Sequence, residues 1–355
     1  MIEVDNVTSA AVRHCLESRL TFALYCMPGS ERPVFIADIG DKAETDDEPC
    51  FIVSPWFGTP SDKYRIVGRA TASDVLDKTP SASGVDSPRP WTVPTEHDDY
   101  IDLCDSLIGR LNERGGKTVF SRVLCGENRD ADWVAIAVDY FNLHPEAFRY
   151  LYYTPQHGAW FGASPEILLD CDKATDTFVT MALAGTRPVI DDGKPWSGKN
   201  LAEQGVVRDY IVDTLYDLGL QPHVGKTETL TTGNIQHLLT RITGHCEGVE
   251  STAILSALNP TPALCGWPRA AALEDIIEYE RHPRRCYGGY VCVENARSLA
   301  AYVNLRCVNF DNAGRWCMYV GGGIMADSDA ADEWDETCHK AALLQGLIGG
   351  KTESI

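Results

Sequence analysis

Carboxylates lie on helix faces that should be apolar, and this placement is the clearest sign of chemistry in the chain. Glu203 stands three and four residues before Val206 and Val207, so it extends the apolar stripe of its predicted helix. The last predicted helix repeats the pattern along one row of residues spaced three and four apart: Glu333, Glu336, Lys340, Leu343, Leu344 and Leu347. Because a bare buried carboxylate is unfavourable, such groups must be paired or must bind a ligand.

Two kinds of partner fit these glutamates. No Cys or His ligand accompanies them at a matching spacing, and oxygen-only ligands favour a hard cation, magnesium before calcium or zinc. The alternative is a helical salt bridge, because Glu336 and Lys340 are four residues apart. The sequence leaves both readings open at this point.

Lys117 is a candidate general base. It begins a predicted strand in which Val119 and Val123 share its face by the period of two. If that face is buried, desolvation lowers the pKa of the amine toward neutrality. The alternative is an exposed lysine at the start of a strand. Further along, Gly321-Gly322-Gly323 offers backbone amides to an anionic group, although it matches neither a dinucleotide-binding nor a P-loop pattern.

The elements that must position these groups predict an α+β fold with large antiparallel sheets, because strands and helices do not alternate regularly. Helices are predicted at about 96–114, 201–218 and 329–347. Strands are predicted at 117–124, 148–153, 160–169 with a break at Ser164-Pro165, 178–184, 235–242, 289–293, 300–308 and 316–320. We expect a single domain over residues 1–355. Within it, residues 1–95 form a variable part that completes a sheet and carries a loop at 78–84, and residues 96–350 form the catalytic core.

The composition narrows the class of protein. The formal net charge of −20 disfavours nucleic acid and anionic membranes as partners. The N-terminal residues show no secretory signal and no apolar run long enough to span a bilayer. The 13 cysteines are scattered without zinc or CxxC spacing, which is typical of a reducing, cytoplasmic environment. We expect a monomer.

Several segments together resemble the chorismate-utilising enzymes, the family of isochorismate, salicylate, anthranilate and aminodeoxychorismate synthases. In family order, the similar segments are 117–122, 161–166, 182–186, 233–237, 260–266, 287–289, 304–306, 321–324 and 333–337 with Lys340. Each is weak alone, whereas the ordered set is specific. The resemblance implies the anthranilate synthase-like fold, a sandwich of two antiparallel sheets with flanking helices.

The resemblance also implies residue roles. Glu203 and Glu336 would hold Mg²⁺, with Glu333 acting directly or through water. Lys117 would take a proton from the water that attacks ring carbon 2 of chorismate, and Glu166 would protonate the hydroxyl leaving carbon 4. The implied substrate-binding residues are Gly185, Thr186, His237, Ala263, Leu264, Tyr287, Arg306, Gly321 and Lys340.

Within the family, Lys117 favours water over ammonia as nucleophile, and Ala184 stands where aminodeoxychorismate synthases carry a nucleophilic lysine. The expected activity is therefore that of an isochorismate synthase, an isomerase, in menaquinone biosynthesis and without a glutaminase subunit. The alternatives are salicylate synthase, which also eliminates pyruvate, a siderophore-pathway isochorismate synthase, an aminating enzyme, and a non-catalytic metal-binding protein of this fold. Asn200, Gln204 and Asn259 depart from the family pattern and would loosen the surroundings of the metal.

Overall fold

Two large antiparallel sheets pack face to face in the computed structural model, which describes residues 1–38, 49–58, 60–68, 70–77, 92–233, 235–349 and 351–352. The predicted loop at 78–84 lies outside these residues. The first sheet runs in the order β12 (Gly266–Trp267), β5 (Lys117–Glu127), β16 (Arg315–Met325), β15 (Cys307–Phe310), β7 (Gly158–Ser164), β6 (Phe148–Thr154), β1 (Thr21–Cys26) and β2 (Val34–Asp38), and β17 (Lys351–Thr352) also pairs with β5. The second runs in the order β10 (His223–Thr232), β11 (Ile235–His245), β9 (Thr177–Pro188), β8 (Ile167–Asp172), β14 (Ser298–Val303), β13 (Tyr290–Glu294), β3 (Cys50–Ser54) and β4 (Tyr64–Val67).

The main core lies between the two sheets and is rich in aromatic rings. Phe148 of the first sheet stacks on Tyr302 of the second, with ring centroids 4.4 Å apart. Phe51 of the second sheet lies 5.7 Å from Tyr152 of the first. Such pairs add to the hydrophobic stabilisation that the buried area supplies. They also join the two sheets across the core, and the expected two-sheet α+β sandwich is confirmed.

Two predicted strands are each divided between the sheets. The segment 160–169 separates into β7 and β8, and the segment 300–308 into β14 and β15, with one strand of each pair in each sheet. The predicted break at Ser164-Pro165 is therefore a crossing from one sheet to the other. Both faces of β7 and β14 are buried, so these strands lack the period-two alternation that would tell one sheet from the other.

The N-terminal part differs from the expectation that it completes one sheet. Its strands β1 and β2 join the first sheet, whereas β3 and β4 join the second. It also begins with a helix, α1 (Asn6–Ser18), which the sequence analysis missed. Asp5 caps this helix by accepting hydrogen bonds from two backbone amides of the first turn.

Helices pack against the faces and the edges of the sheets. Besides α1 they are α2 (Ala72–Leu76), α3 (His97–Arg114), α4 (Trp133–Leu143), α5 (Gly198–Asp217), α6 (Ser251–Leu258), α7 (Arg269–Tyr279) and α8 (Ala330–Ile348). Along α8, Glu333 and Leu344 are buried as predicted, but Leu343 is 40% exposed and does not belong to the inward row. The inward face instead continues through Ala341 and Ile348. No helix in the described ranges is both long and apolar enough to cross a membrane.

Candidate active site

One cavity gathers most of the predicted site residues. Eleven of the fourteen line it: Glu166, Gly185, Thr186, Glu203, His237, Ala263, Leu264, Tyr287, Arg306, Gly321 and Lys340. The other three adjoin it. Lys117 lies beside Glu203, and Glu333 and Glu336 line a second, outer cavity that shares Thr186 with the first.

The two sheet crossings place Glu166 and Arg306. Glu166 follows β7 at the first crossing, and Arg306 precedes β15 at the second. The crossings are bonded to each other, because the Val303 amide donates to the Glu166 carbonyl at 3.1 Å and the Ser164 hydroxyl donates to the Val303 carbonyl at 2.6 Å. Arg306 adopts φ = 48°, a left-handed conformation that is uncommon for a non-glycine residue. A strained residue at a cavity is consistent with a functional constraint.

Glu166 has the properties of an acid that keeps its proton. Its side chain is buried, with the residue 3% exposed. Burial raises its pKa to about 8, although the cationic Lys117 and Arg306 nearby act in the opposite direction. A carboxyl group with this pKa is mostly neutral at pH 7 and has a proton to donate, which the role implied for Glu166 requires.

Lys117 is fully buried, so the alternative of an exposed lysine at a strand start is wrong. Its Nζ lies 2.9 Å from Oε1 of Glu203. It has no partner in hydrogen-bonding geometry within the described part of the chain. Three N–H directions of an ammonium group need acceptors, so this nitrogen is suited to receive a water molecule or a substrate oxygen.

His237 orients Arg306. Nε2 of His237 lies 2.9 Å from the Arg306 guanidinium, and Nδ1 lies 3.3 Å from both the Gly185 carbonyl and the Thr186 hydroxyl. Burial, followed by the charges of Arg306 and Lys340, holds the pKa of His237 well below its usual value. The ring is therefore neutral, with Nε2 accepting from the guanidinium and Nδ1 donating to the carbonyl. This arrangement holds the guanidinium group of Arg306 beside the cavity, where its paired N–H groups are suited to bind a carboxylate.

Each predicted metal ligand is paired with a lysine. The three ion pairs join Lys117 to Glu203, Lys340 to Glu336 at 2.6 Å, and Lys199 to Glu333. The helical salt bridge offered as the alternative reading is thus present, and Nζ of Lys340 also donates to the Gly321 carbonyl at 2.8 Å. Across the described residues, no three His, Cys, Asp or Glu side chains form a group compact enough to hold a metal ion.

Two of the carboxylates nevertheless lie against Gly322, and the third lies against the adjacent Gly323, at a glycine corner of β16. A Cβ on Gly322 would lie 2.8 Å from Oε2 of Glu333 and 3.4 Å from Oε1 of Glu336, and a Cβ on Gly323 would collide with Glu203. Burial, and then the charge of Glu336, raises the pKa of Glu333 to about 7. Burial has the same tendency at Glu336, but Lys340, Lys199 and a hydrogen bond from Thr186 together outweigh it and hold the pKa of Glu336 below its usual value. Oxygen ligands that repel one another across a glycine cradle fit a hard divalent cation.

Two features of the site were missed. Lys199 precedes Glu203 by four residues, so the spacing on α5 already placed it on the same helix face. Arg284 was not identified, although it forms a buried ion pair with Glu280 and donates to the carbonyls of Leu264 and Val119 at 2.7 and 2.8 Å. Leu264 and Val119 line the cavity, so the ion pair of Arg284 and Glu280 stabilises the backbone of the cavity wall.

Comparisons with known proteins give matches in sequence and in fold. Residues 92–349 match the family model described as chorismate binding enzyme. The chain is 30% identical over 205 residues to the isochorismate synthase EntC of Escherichia coli K12, covering 54% of this chain and 51% of that protein. It is 32% identical over 206 residues to the isochorismate synthase DhbC of Bacillus subtilis, covering 53% and 50%. It thus spans about half the length of the relatives it matches. The solved menaquinone-specific isochorismate synthase MenF of Escherichia coli superposes with a TM-score of 0.79 at 18% identity, covering 98% of this chain and 92% of that one, and shows the shared fold.

Proposed function

Because the chain belongs to the chorismate-binding enzyme family, we propose that it is an isochorismate synthase, an isomerase that moves a hydroxyl group of chorismate from C4 to C2. The observation that carries the proposal is the burial of two groups of complementary chemistry, the Lys117 side chain beside the cavity and the Glu166 carboxyl group, with its raised pKa, in the cavity wall. Addition of water at one ring carbon and loss of hydroxide at another require such a base and such an acid. An aminating enzyme has no need of the base, because ammonia is already a nucleophile.

The chain's own groups divide the reaction among them. Arg306, held by His237, and Lys340 bind the carboxylates of the substrate, and Leu264 and Tyr287 enclose its ring. Nζ of Lys117 takes a proton from the water that attacks C2. Glu166 delivers its proton to the hydroxyl group that leaves C4, and the double bonds of the ring shift between the two carbons. The net reaction neither consumes nor releases water.

We propose Mg²⁺ as the cofactor, held by Glu203 and Glu336 with help from Glu333. When bound, it would offset the charge of the ring carboxylate and fix its orientation. The support is the pair of carboxylates, Glu333 and Glu336, that meets at Gly322, with Glu203 against the adjacent Gly323. The lysines that pair with them would have to share these oxygens with the cation or release them.

The test is product analysis by chromatography after incubation with chorismate and MgCl₂. We expect isochorismate from the wild type, loss of product on addition of EDTA, and a rate at least about 100-fold lower for Lys117→Ala. Lys226→Ala, which removes an exposed lysine from β10, is the matched control and should retain full activity. Full activity in Lys117→Ala would refute the assignment of the base. Salicylate as the main product would replace the proposed activity with that of a salicylate synthase.

The proposal extends to pathway and partners. We assign the isochorismate to menaquinone biosynthesis, as expected from the sequence analysis. Because water and not ammonia is the proposed nucleophile, no subunit that delivers ammonia is required. We also propose that the chain acts as a monomer. Size-exclusion chromatography with light scattering tests the monomer directly.

A further inference from the structure

Lys199 occupies a different position from the two other lysines that pair with the glutamates. Lys117 is fully buried, and Lys340 lines the main cavity. Lys199 lines the outer cavity instead, together with Asp332, Asp335 and His339. The side chain of Lys199 is 25% exposed, whereas that of Lys117 is 1% exposed. The ammonium group of Lys199 therefore has an open path away from the carboxylate that it pairs with.

Glu333 presents its two oxygens to different surroundings. Oε1 accepts hydrogen bonds from Nζ of Lys199 and, at 2.7 Å, from the Ser328 hydroxyl. Oε2 faces Gly322 at the glycine corner where Glu336 also points. The residue is 2% exposed, so its charge needs a counter-ion in the fold itself. Lys199 supplies that counter-ion from the outer side of the carboxylate.

We propose that Lys199 is an internal counter-ion that competes with the divalent cation for Glu333 and moves into the outer cavity when the cation binds. The inference rests on the proposed function, since it takes Mg²⁺ as the cation. A dication and an ammonium group on one carboxylate repel each other strongly at short range in a poorly screened site. A lysine head on a flexible four-carbon stem yields more readily than a buried glutamate on a packed helix. Asp332 and Asp335 of the outer cavity offer the displaced ammonium group new partners.

The exchange has a measurable consequence. The free energy of cation binding includes the loss of the pair between Lys199 and Glu333, so the native lysine weakens the binding of Mg²⁺. Removing the charge at position 199 therefore tightens metal binding. A lysine with a purely structural role would not have this effect, because damage to the site weakens binding.

The experiment is calorimetric titration of MgCl₂ into the metal-free full chain without substrate, at about pH 9, where Glu333 is ionised and its protonation does not oppose metal binding. We expect Lys199→Gln to bind Mg²⁺ more tightly than the wild type, on the order of tenfold. Lys199→Arg keeps the charge and should stay within about twofold of the wild type, as should Lys194→Gln, which removes an exposed lysine paired with Asp191. Equal or weaker binding by Lys199→Gln overturns the inference.

A second measurement uses the wild type alone and does not depend on how a variant folds. Amine acylation by acetic anhydride, followed by mass spectrometry of peptides, should label Lys199 faster when Mg²⁺ is saturating, because its head then lies in the outer cavity. Lys194 is the internal control, with unchanged labelling. Unchanged labelling of Lys199 overturns the inference. A wild type that neither binds Mg²⁺ nor forms isochorismate refutes the proposed function as well, whereas a wild type that does both isolates the failure to Lys199.

Discussion

Replacing Glu166 with glutamine should abolish the reaction and yet stabilise the fold at high pH. Glutamine has nearly the size of the neutral carboxyl group but has no acidic proton to donate. We therefore expect the rate to fall by about 10²- to 10⁴-fold, the usual contribution of a positioned general acid. For the same reason, the activity of the wild type should decline as the pH rises through about 8, where Glu166 ionises.

The gain in stability follows from the pKa of the buried carboxyl group. The pKa is about 8 in the folded protein, compared with an ordinary value of 4.5. A raised pKa means that the contribution of Glu166 to stability is fully present below the ordinary value and is lost as the pH rises through about 8. At about 1.4 kcal/mol for each pH interval of one, the wild type loses up to about 4 kcal/mol between about pH 5 and about pH 9. Glutamine does not ionise, so the variant escapes this loss.

Urea unfolding of the wild type and Glu166→Gln at the two pH values measures the effect. The two proteins should be close in stability at about pH 5, and the variant should be more stable by several kcal/mol at about pH 9. Glu274→Gln removes the same charge from an exposed position on α7 and serves as the control. A stability difference between Glu166→Gln and the wild type that does not change with pH would show that Glu166 ionises normally, and the assignment of the acid would fail.

Three further substitutions test the surroundings of the cavity. Gly323→Ala should destabilise the fold by about 1–3 kcal/mol and impair activity, because its Cβ would collide with the ion pair beneath it, whereas Gly109→Ala meets nothing within 4 Å and should not; thermal melts compare the two. His237→Phe removes the acceptor that orients Arg306 and should raise KM for the substrate about tenfold or more, so an unchanged KM in steady-state kinetics would contradict that role. Arg284→Met leaves a buried carboxylate unpaired and should cost about 3–5 kcal/mol in urea unfolding, and a loss below about 1 kcal/mol would show that the pair is not important for stability.

Much of the candidate site could be predicted because its residues break local rules. Glu203 and Glu333 occupy helix positions where an apolar side chain is normal, and both are buried in the structure. The period of two also placed Lys117 on a strand face with Val119, and that face is buried. In these cases a short repeat fixes the direction of the side chain, so a single element carries the information.

The rest could not be predicted because it depends on how distant elements meet. Glu280 and Arg284 are only four residues apart, but Arg284 also donates hydrogen bonds to the carbonyls of Val119 and Leu264, which are distant in the sequence. Leu343 was misplaced because its spacing fits the inward row as well as that of Leu344 does, and only packing separates the two. The break at Ser164-Pro165 could be predicted, but its meaning as a change of sheet could not, because a strand buried on both faces shows no alternation that identifies its sheet.

The two crossings have a mechanical consequence. Because Glu166 and Arg306 lie where the chain leaves one sheet for the other, the walls of the cavity belong to both layers at once. A sliding motion of one layer over the other would change the separation of these two side chains. A bound molecule that touches both side chains would contact groups held by both layers and would oppose such a motion. Filling the cavity would therefore restrain the motion of one sheet over the other.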